Sequence, residues 1–124
     1  GFAGGIGLSG GACGALGAAI WIIGIHGHKE GLTNKAIQSR IDEMIDSFLE
    51  TTAYEFECSD IVGRRFEDIG DHANFLRQGG CSEIIESLAG AAGNVREQTS
   101  TPVSMEVVHP GEEGHDLPIS VPPR

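Results

Sequence analysis

The stretch Ser9-Gly-Gly-Ala-Cys13-Gly-Ala-Leu-Gly-Ala-Ala-Ile-Trp-Ile-Ile-Gly-Ile25 decides the fold. From Ala12 to Ile25 it is apolar for 14 residues, three of them glycine. A membrane span needs roughly 18 or more apolar residues, so the run reads as a buried helix over Gly10–Ile25. Ser9 stands where a cap is needed, and Ala12–Ala19 is alanine-rich and favours helix. Gly24, Gly27 and Gly31 punctuate its end. Residues 1–28 contain no Asp, Glu, Lys or Arg, so this helix has no charged face and is expected at the centre of the domain. Gly10, Gly14 and Ala18 recur every four residues, a stripe that lets another backbone approach closely. Packing within the same domain is the favoured use of that stripe; an upstream segment that lengthened the run would turn it into a membrane helix.

Outward from this run, Thr33 begins a second helix that continues to near Tyr54. Ile37, Ile41, Met44, Ile45, Phe48 and Leu49 follow three- and four-residue steps, with Arg40, Asp42, Glu43 and Asp46 on the other face. Three shorter helical pieces are expected next. Cys58–Val62 is stopped by Gly63, Asp71–Arg77 by Gly79-Gly80, and Cys81–Ala92 carries Ile84, Ile85, Leu88 and Ala89 on one side. All five prolines fall in 95–124, a polar, acidic stretch without helical period that reads as an extended tail, with Val103–Val108 as a short strand in it.

The balance of 18 acidic against 8 basic residues gives a net charge of −10 and argues against nucleic acid, which requires clustered Lys and Arg. At 124 residues the chain fits one domain with its own core. It opens at Gly1 without methionine, so the first residues of the natural domain, and any targeting segment, are expected to lie upstream.

Two glycine motifs overlap near the start. Gly5-Ile-Gly7-Leu-Ser-Gly10 matches G-x-G-x-x-G, but the alternating strands and helices of a dinucleotide fold do not follow. Gly7-Leu-Ser9-Gly-Gly11 matches the nucleophile elbow, which works only at a strand-to-helix turn in an α/β sheet. Around Cys13 the glycines have a plainer use: a helix start presents backbone N–H groups and favours negative charge, which suits a thiolate. Cys58 and Cys81 also stand at helix starts, in Cys-Ser-Asp and Cys-Ser-Glu. No Cys-x-x-Cys occurs, so a common site must be assembled by tertiary packing. Three converging thiolates would suit a metal cluster; two of them could instead cycle through a disulfide. His26-Gly-His28 could clip a metal from a loop, His72 could cap or pair at a short helix, and His109 and His115 sit in the tail.

The run Gly-Phe-Ala-Gly-Gly-Ile-Gly-Leu-Ser-Gly-Gly-Ala-Cys13-Gly-Ala-Leu-Gly-Ala resembles the signature of the C-GCAxxG-C-C family, described as redox-active. Cys58-Ser-Asp-Ile-Val-Gly63 is similar to its next cysteine segment, and Cys81 to the cysteine that opens its last helix. The resemblance covers about residues 1–93. It departs in two places. The family's first cysteine lies upstream of the glycine-rich run, and Ala12 and Gly14 exchange the motif's Gly and Ala around Cys13. Similar domains occur in split-Soret cytochromes, where an iron–sulfur centre accompanies the haems. The resemblance therefore implies that Cys13, Cys58 and Cys81 ligate an iron–sulfur cluster, with the fourth position supplied by the upstream cysteine or another group.

The expectation is an all-α fold: a compact helical bundle of four to five helices over 1–93, followed by an extended Pro-rich tail over 94–124. The chain is read as a redox or electron-transfer domain, with Cys13, Cys58 and Cys81 as cofactor and metal ligands. The alternatives are a metal-free thiol–disulfide protein and a small structural subunit of a larger assembly. Expected partners are a redox protein or other subunits, and a second copy of the chain through the small-residue stripe. No residue is assigned as a catalytic acid or base.

Overall fold

The computed structural model describes residues 1–93. Five helices lie among them: α1 (Gly14–Lys29), α2 (Asn34–Thr51), α3 (Cys58–Val62), α4 (Ile69–Arg77) and α5 (Ser82–Gly93). Among the described residues there is no strand; one isolated antiparallel bridge pairs Ala12 with Glu57. The helical fold is as the periodicity implies. The tail and its Val103–Val108 strand lie outside the described residues.

The core is a three-helix contact. Leu16, Ala19 and Ile23 of α1 meet Met44 and Phe48 of α2 and Ile84 and Leu88 of α5. Their spacings of three, four and seven place each set on one helix face. Ile37, Ile41, Ile45 and Leu49 pack at the margin, so the α2 stripe read from the sequence is the face that is buried. Thr33 caps α2, its side chain accepting from the Ala36 N–H at 3.2 Å. Among the described residues, no helix is long and apolar enough to cross a membrane.

Three features differ from the sequence expectation. First, α1 starts at Gly14, not Gly10, and its cap position is Cys13, not Ser9. Residues 4–8 instead turn left-handed, with φ between 57° and 79° throughout, closed by bonds such as Ile6 N–H to the Phe2 carbonyl (3.1 Å) and Gly10 N–H to the Gly4 carbonyl (3.0 Å). A left-handed conformation costs an L-residue about 1–2 kcal/mol, which explains why glycine holds three of these five positions. Ser9 bonds the Gly5 carbonyl inside this turn and accepts from the Gly11 N–H. Second, α2 stops at Thr51. The Thr52 hydroxyl donates to the Glu55 carbonyl at 2.6 Å, and Ala53 and Tyr54 turn left-handed. Third, α1 is not enclosed. Among the described residues, α2 and α5 are the helices that pack most on it, and the other side shows Trp21 at 64% exposure and Ile22 at 42%.

Gly14 is where backbone approach is tightest. A Cβ there would collide with the Phe2 carbonyl, which lies over the first turn of α1. At Gly17, one turn on, a Cβ would meet the Phe2 ring at 3.6 Å, an ordinary contact. Gly14→Ala is therefore expected to displace residues 1–8 from α1 and lower stability by about 1–3 kcal/mol through overpacking. Gly17→Ala should be neutral or stabilising by up to about 1 kcal/mol through helix propensity. Thermal denaturation of the two variants side by side checks the contrast.

Candidate functional site

Each cysteine stands at the head of a helix: Cys13 caps α1, Cys58 opens α3 and Cys81 immediately precedes α5. Backbone pairing fixes the first two. The Cys13 N–H donates to the Phe56 carbonyl (3.1 Å) and the Cys58 N–H to the Gly11 carbonyl (2.7 Å), flanking the Ala12–Glu57 bridge. Side chains alternate across such a pairing, so Cys13 and Cys58 share the face opposite Ala12 and Glu57. Ser59 adds a second tie, its N–H (3.0 Å) and its hydroxyl (2.9 Å) both donating to the Gly10 carbonyl. Cys81 is set by the turn Gly79-Gly80 and has a left-handed φ of 62°; its carbonyl accepts from Ile85 N–H at 2.9 Å, in the first turn of α5.

All three cysteines line one cavity of about 310 Å³. Its other walls are apolar or backbone, from Phe2 to Gly5 on one side and Phe66, Leu76 and Ile85 on the other, with one exception, His72. Cys81 also borders a second hollow of about 460 Å³, beside Thr51, Thr52 and Glu83. All three thiols are free and half-buried. Burial pushes the Cys58 thiol above its ordinary value, and the neighbouring Cys13 adds to the rise. Cys81 is raised for the same first reason, with Cys13 and then Cys58 adding repulsion. The three sulfurs thus lie within electrostatic reach of one another, and desolvation outweighs the helix-start preference for anions.

The far wall is held by a surface latch. Arg64 grips Asp71 with two bonds of 2.7 and 2.8 Å, its guanidinium lies 4.8 Å from the centre of the Phe66 ring, and Asp68 caps α4 by accepting from the Asp71 N–H at 2.8 Å. The paired guanidinium, helped by the Glu67 N–H, holds the Asp71 carboxyl down at about 2. Phe66 is buried, and the His72 ring packs edge-on against it with centroids 4.8 Å apart.

His72 was not singled out as a site residue by the sequence reading. It lies within α4, where His72 and Leu76 share a face at a spacing of four and both line the cavity. His26 and His28 lie in α1 rather than in a loop; both are exposed, and two residues apart on a helix they point to different sides. They form no clip.

Among the described residues no group of three or more His, Cys, Asp or Glu side chains is arranged to hold a metal ion. All three cysteines border one cavity without forming such a group. A lone ion does not suit that arrangement. An iron–sulfur cluster is itself several atoms across, takes thiolates around its periphery and favours a weakly solvated pocket, and the donor set and the apolar walls fit it.

Among the described residues, the domain is helical and its three dispersed cysteines border one cavity. The family model described as "Putative redox-active protein (C_GCAxxG_C_C)" matches residues 1–95, and the chain belongs to that family. No curated protein and no solved structure matches it.

Two titrations check this geometry. In carboxyl-detected NMR, Asp71 should titrate near 2, and Arg64→Ala should return it toward the ordinary value of about 3.9. The stability that this pair contributes is present above the unfolded value and is lost as pH falls toward 2; the pair is solvent-exposed, so the loss is small. In the metal-free protein, alkylation of Cys58 and Cys81 should rise with pH only above the range of an ordinary thiol. Raised thiols stabilise the fold below the unfolded thiol value and lose that contribution as pH climbs through the folded one, so alkaline denaturation should begin earlier than in the Cys58→Ser, Cys81→Ser double variant.

Proposed function

We propose that residues 1–93 are a redox domain that holds an iron–sulfur cluster on Cys13, Cys58 and Cys81 and exchanges electrons with a partner protein. The observation that carries this reading is the single cavity lined by all three cysteines, with walls that are otherwise almost entirely apolar. Its redox character is that of the family. When bound, the cluster supplies one-electron exchange. The chain's part is to present thiolates from the heads of three helices, to line the pocket with the apolar side chains of Phe2, Phe66, Leu76 and Ile85, and to fix Cys13 and Cys58 relative to each other through backbone pairing.

The raised thiols favour this reading over metal-free thiol–disulfide exchange. The attacking species in exchange is the thiolate, and burial keeps Cys58 and Cys81 protonated beyond the ordinary range. Coordination removes that penalty, because a bound cation compensates the buried negative charge.

Protein purified or reconstituted without oxygen should be brown and contain iron and acid-labile sulfide. Cys13→Ser, Cys58→Ser and Cys81→Ser should each lose most of both while keeping the helical circular dichroism of the parent. Iron-free wild-type protein after reconstitution overturns the proposal. If it then forms a reversible disulfide, detected by mass after alkylation, thiol–disulfide exchange takes its place.

A further inference from the structure

One wall of the cysteine cavity belongs to no helix. Phe2, Ala3, Gly4 and Gly5 line the cavity together with Cys13, Cys58 and Cys81. This segment lies on the first turns of α1: the Phe2 carbonyl occupies the place a Gly14 Cβ would take, and the Phe2 ring lies 3.6 Å from where a Gly17 Cβ would stand. A Cβ at Gly4 would come within 3.4 Å of the Phe66 ring, so the segment reaches from α1 to Phe66. We infer that residues 2–5 are a movable strap over the cysteine cavity, which lifts from α1 as a unit about Gly10, so that the thiols are reached by this local opening while the helices stay folded. The inference stands on the cavity and does not need a cluster to fill it.

Three observations support it. The segment bonds only to its own turn. Among the described residues, the hydrogen bonds of residues 1–5 all go to residues 6–10, including Ile6 N–H to the Phe2 carbonyl (3.1 Å), Leu8 N–H to Ala3 (2.9 Å) and Gly10 N–H to Gly4 (3.0 Å). It can therefore move without breaking a bond to any helix. Its base is fixed and jointed. The Gly10 carbonyl accepts from the Ser59 N–H and the Gly11 carbonyl from the Cys58 N–H, while Gly10 itself is left-handed with a φ of 77°, and such a loop residue can absorb the rotation of a hinge. Finally, little holds the strap down. No residue of 1–8 belongs to the core or packs at its margin, and Phe2, the one bulky side chain in residues 1–5, is 47% exposed and rests on two glycines that offer nothing to interlock with it. Segments with few buried apolar contacts open at a far smaller free energy than the whole domain.

The test is alkylation of the metal-free full chain, followed at each cysteine by peptide mass, with iodoacetamide as the small reagent and a polyethylene glycol maleimide as the bulky one. Phe2→Ala should speed alkylation of Cys13 and Cys58 on the order of tenfold, as loss of a half-buried ring allows. The bulky reagent should gain more than the small one, which a change in thiol acidity alone would not produce. Cys81 also borders the second hollow and should respond less. Gly17→Ala, which gives the Phe2 ring a methyl group to rest on, should slow the reaction, and Trp21→Ala, on the exposed side of α1, should leave it unchanged. In wild-type protein the rate should depend on urea far more weakly than global unfolding does. A wild-type rate with the full urea dependence of unfolding overturns the strap, and so does a folded Phe2→Ala variant that reacts at the wild-type rate. The urea series needs no variant, so the inference does not depend on one folding. Failure to take up iron overturns the cluster proposed above and leaves the strap standing.

Discussion

The site depends on one short pairing, the contact between residues 10–13 and 56–59. It consists of three backbone bonds and the Ser59 hydroxyl, and it joins segments more than forty residues apart. Each such bond contributes only about 1 kcal/mol net, so the pairing cannot by itself hold distant segments together. The hairpin of α1 and α2 makes it possible. At about 1.5 Å per residue the two helices run roughly 24 and 27 Å, so the chain that leaves Cys13 along α1 returns beside it at the end of α2. Core packing of Leu16 and Ile23 with Met44 and Phe48 does most of the work of closing that loop, and the bridge then fixes register. A slip of one residue there would turn Cys58 to the face opposite Cys13.

This division of labour explains what could be read in advance. The helices whose faces are set by their own periodicity, α2 and α5, lie where Met44, Phe48, Ile84 and Leu88 indicate. The start of α1 was misjudged because Gly10, Gly11 and Ala12 have a partner strand-like segment elsewhere, and nothing local in the sequence announces Phe56 to Ser59 as that partner. The central placing of α1 was half right for a related reason. Lack of charge identifies a helix that tolerates burial, but the number of neighbours decides how much is buried, and the two among the described residues leave Trp21 exposed. The order and context of the three cysteines pointed to one site through family likeness, whereas their meeting at one cavity is a tertiary fact. His72 was overlooked because a histidine on a short helix with a modest apolar face has many ordinary uses, and only the cavity distinguishes this one.

The site lies where two kinds of support meet. Cys13 and Cys81 stand at the heads of α1 and α5, both members of the central core, so their backbones are as fixed as the packing of Leu16 and Ile84. Cys58 and His72 belong to α3 and α4, which contribute no residue to that central cluster of buried side chains. Their positions rely on hydrogen bonds: the pairing to Gly10 and Gly11 for one, the Arg64–Asp71 latch and the Asp68 cap for the other. Rigid elements place donors more precisely than loops do.

Cys81 carries the argument one step further. Its left-handed backbone would suit glycine, and two glycines precede it in the same turn. A Cβ at Gly80 would strike the Phe75 ring, so that position has reason to lack a side chain. Position 81 has the opposite character. It keeps a side chain on a conformation that costs an L-residue of order 1 kcal/mol or more, in a half-buried thiol whose ionisation is further penalised by two neighbouring sulfurs. Both penalties fall on one residue, which packs only at the margin of the core. A packing role would be met more cheaply by glycine in the turn and an alkyl group on the following helix. What the strained position does provide is a sulfur on the cavity wall shared with Cys13 and Cys58, and that is the physical reason to place the chemistry of this domain there.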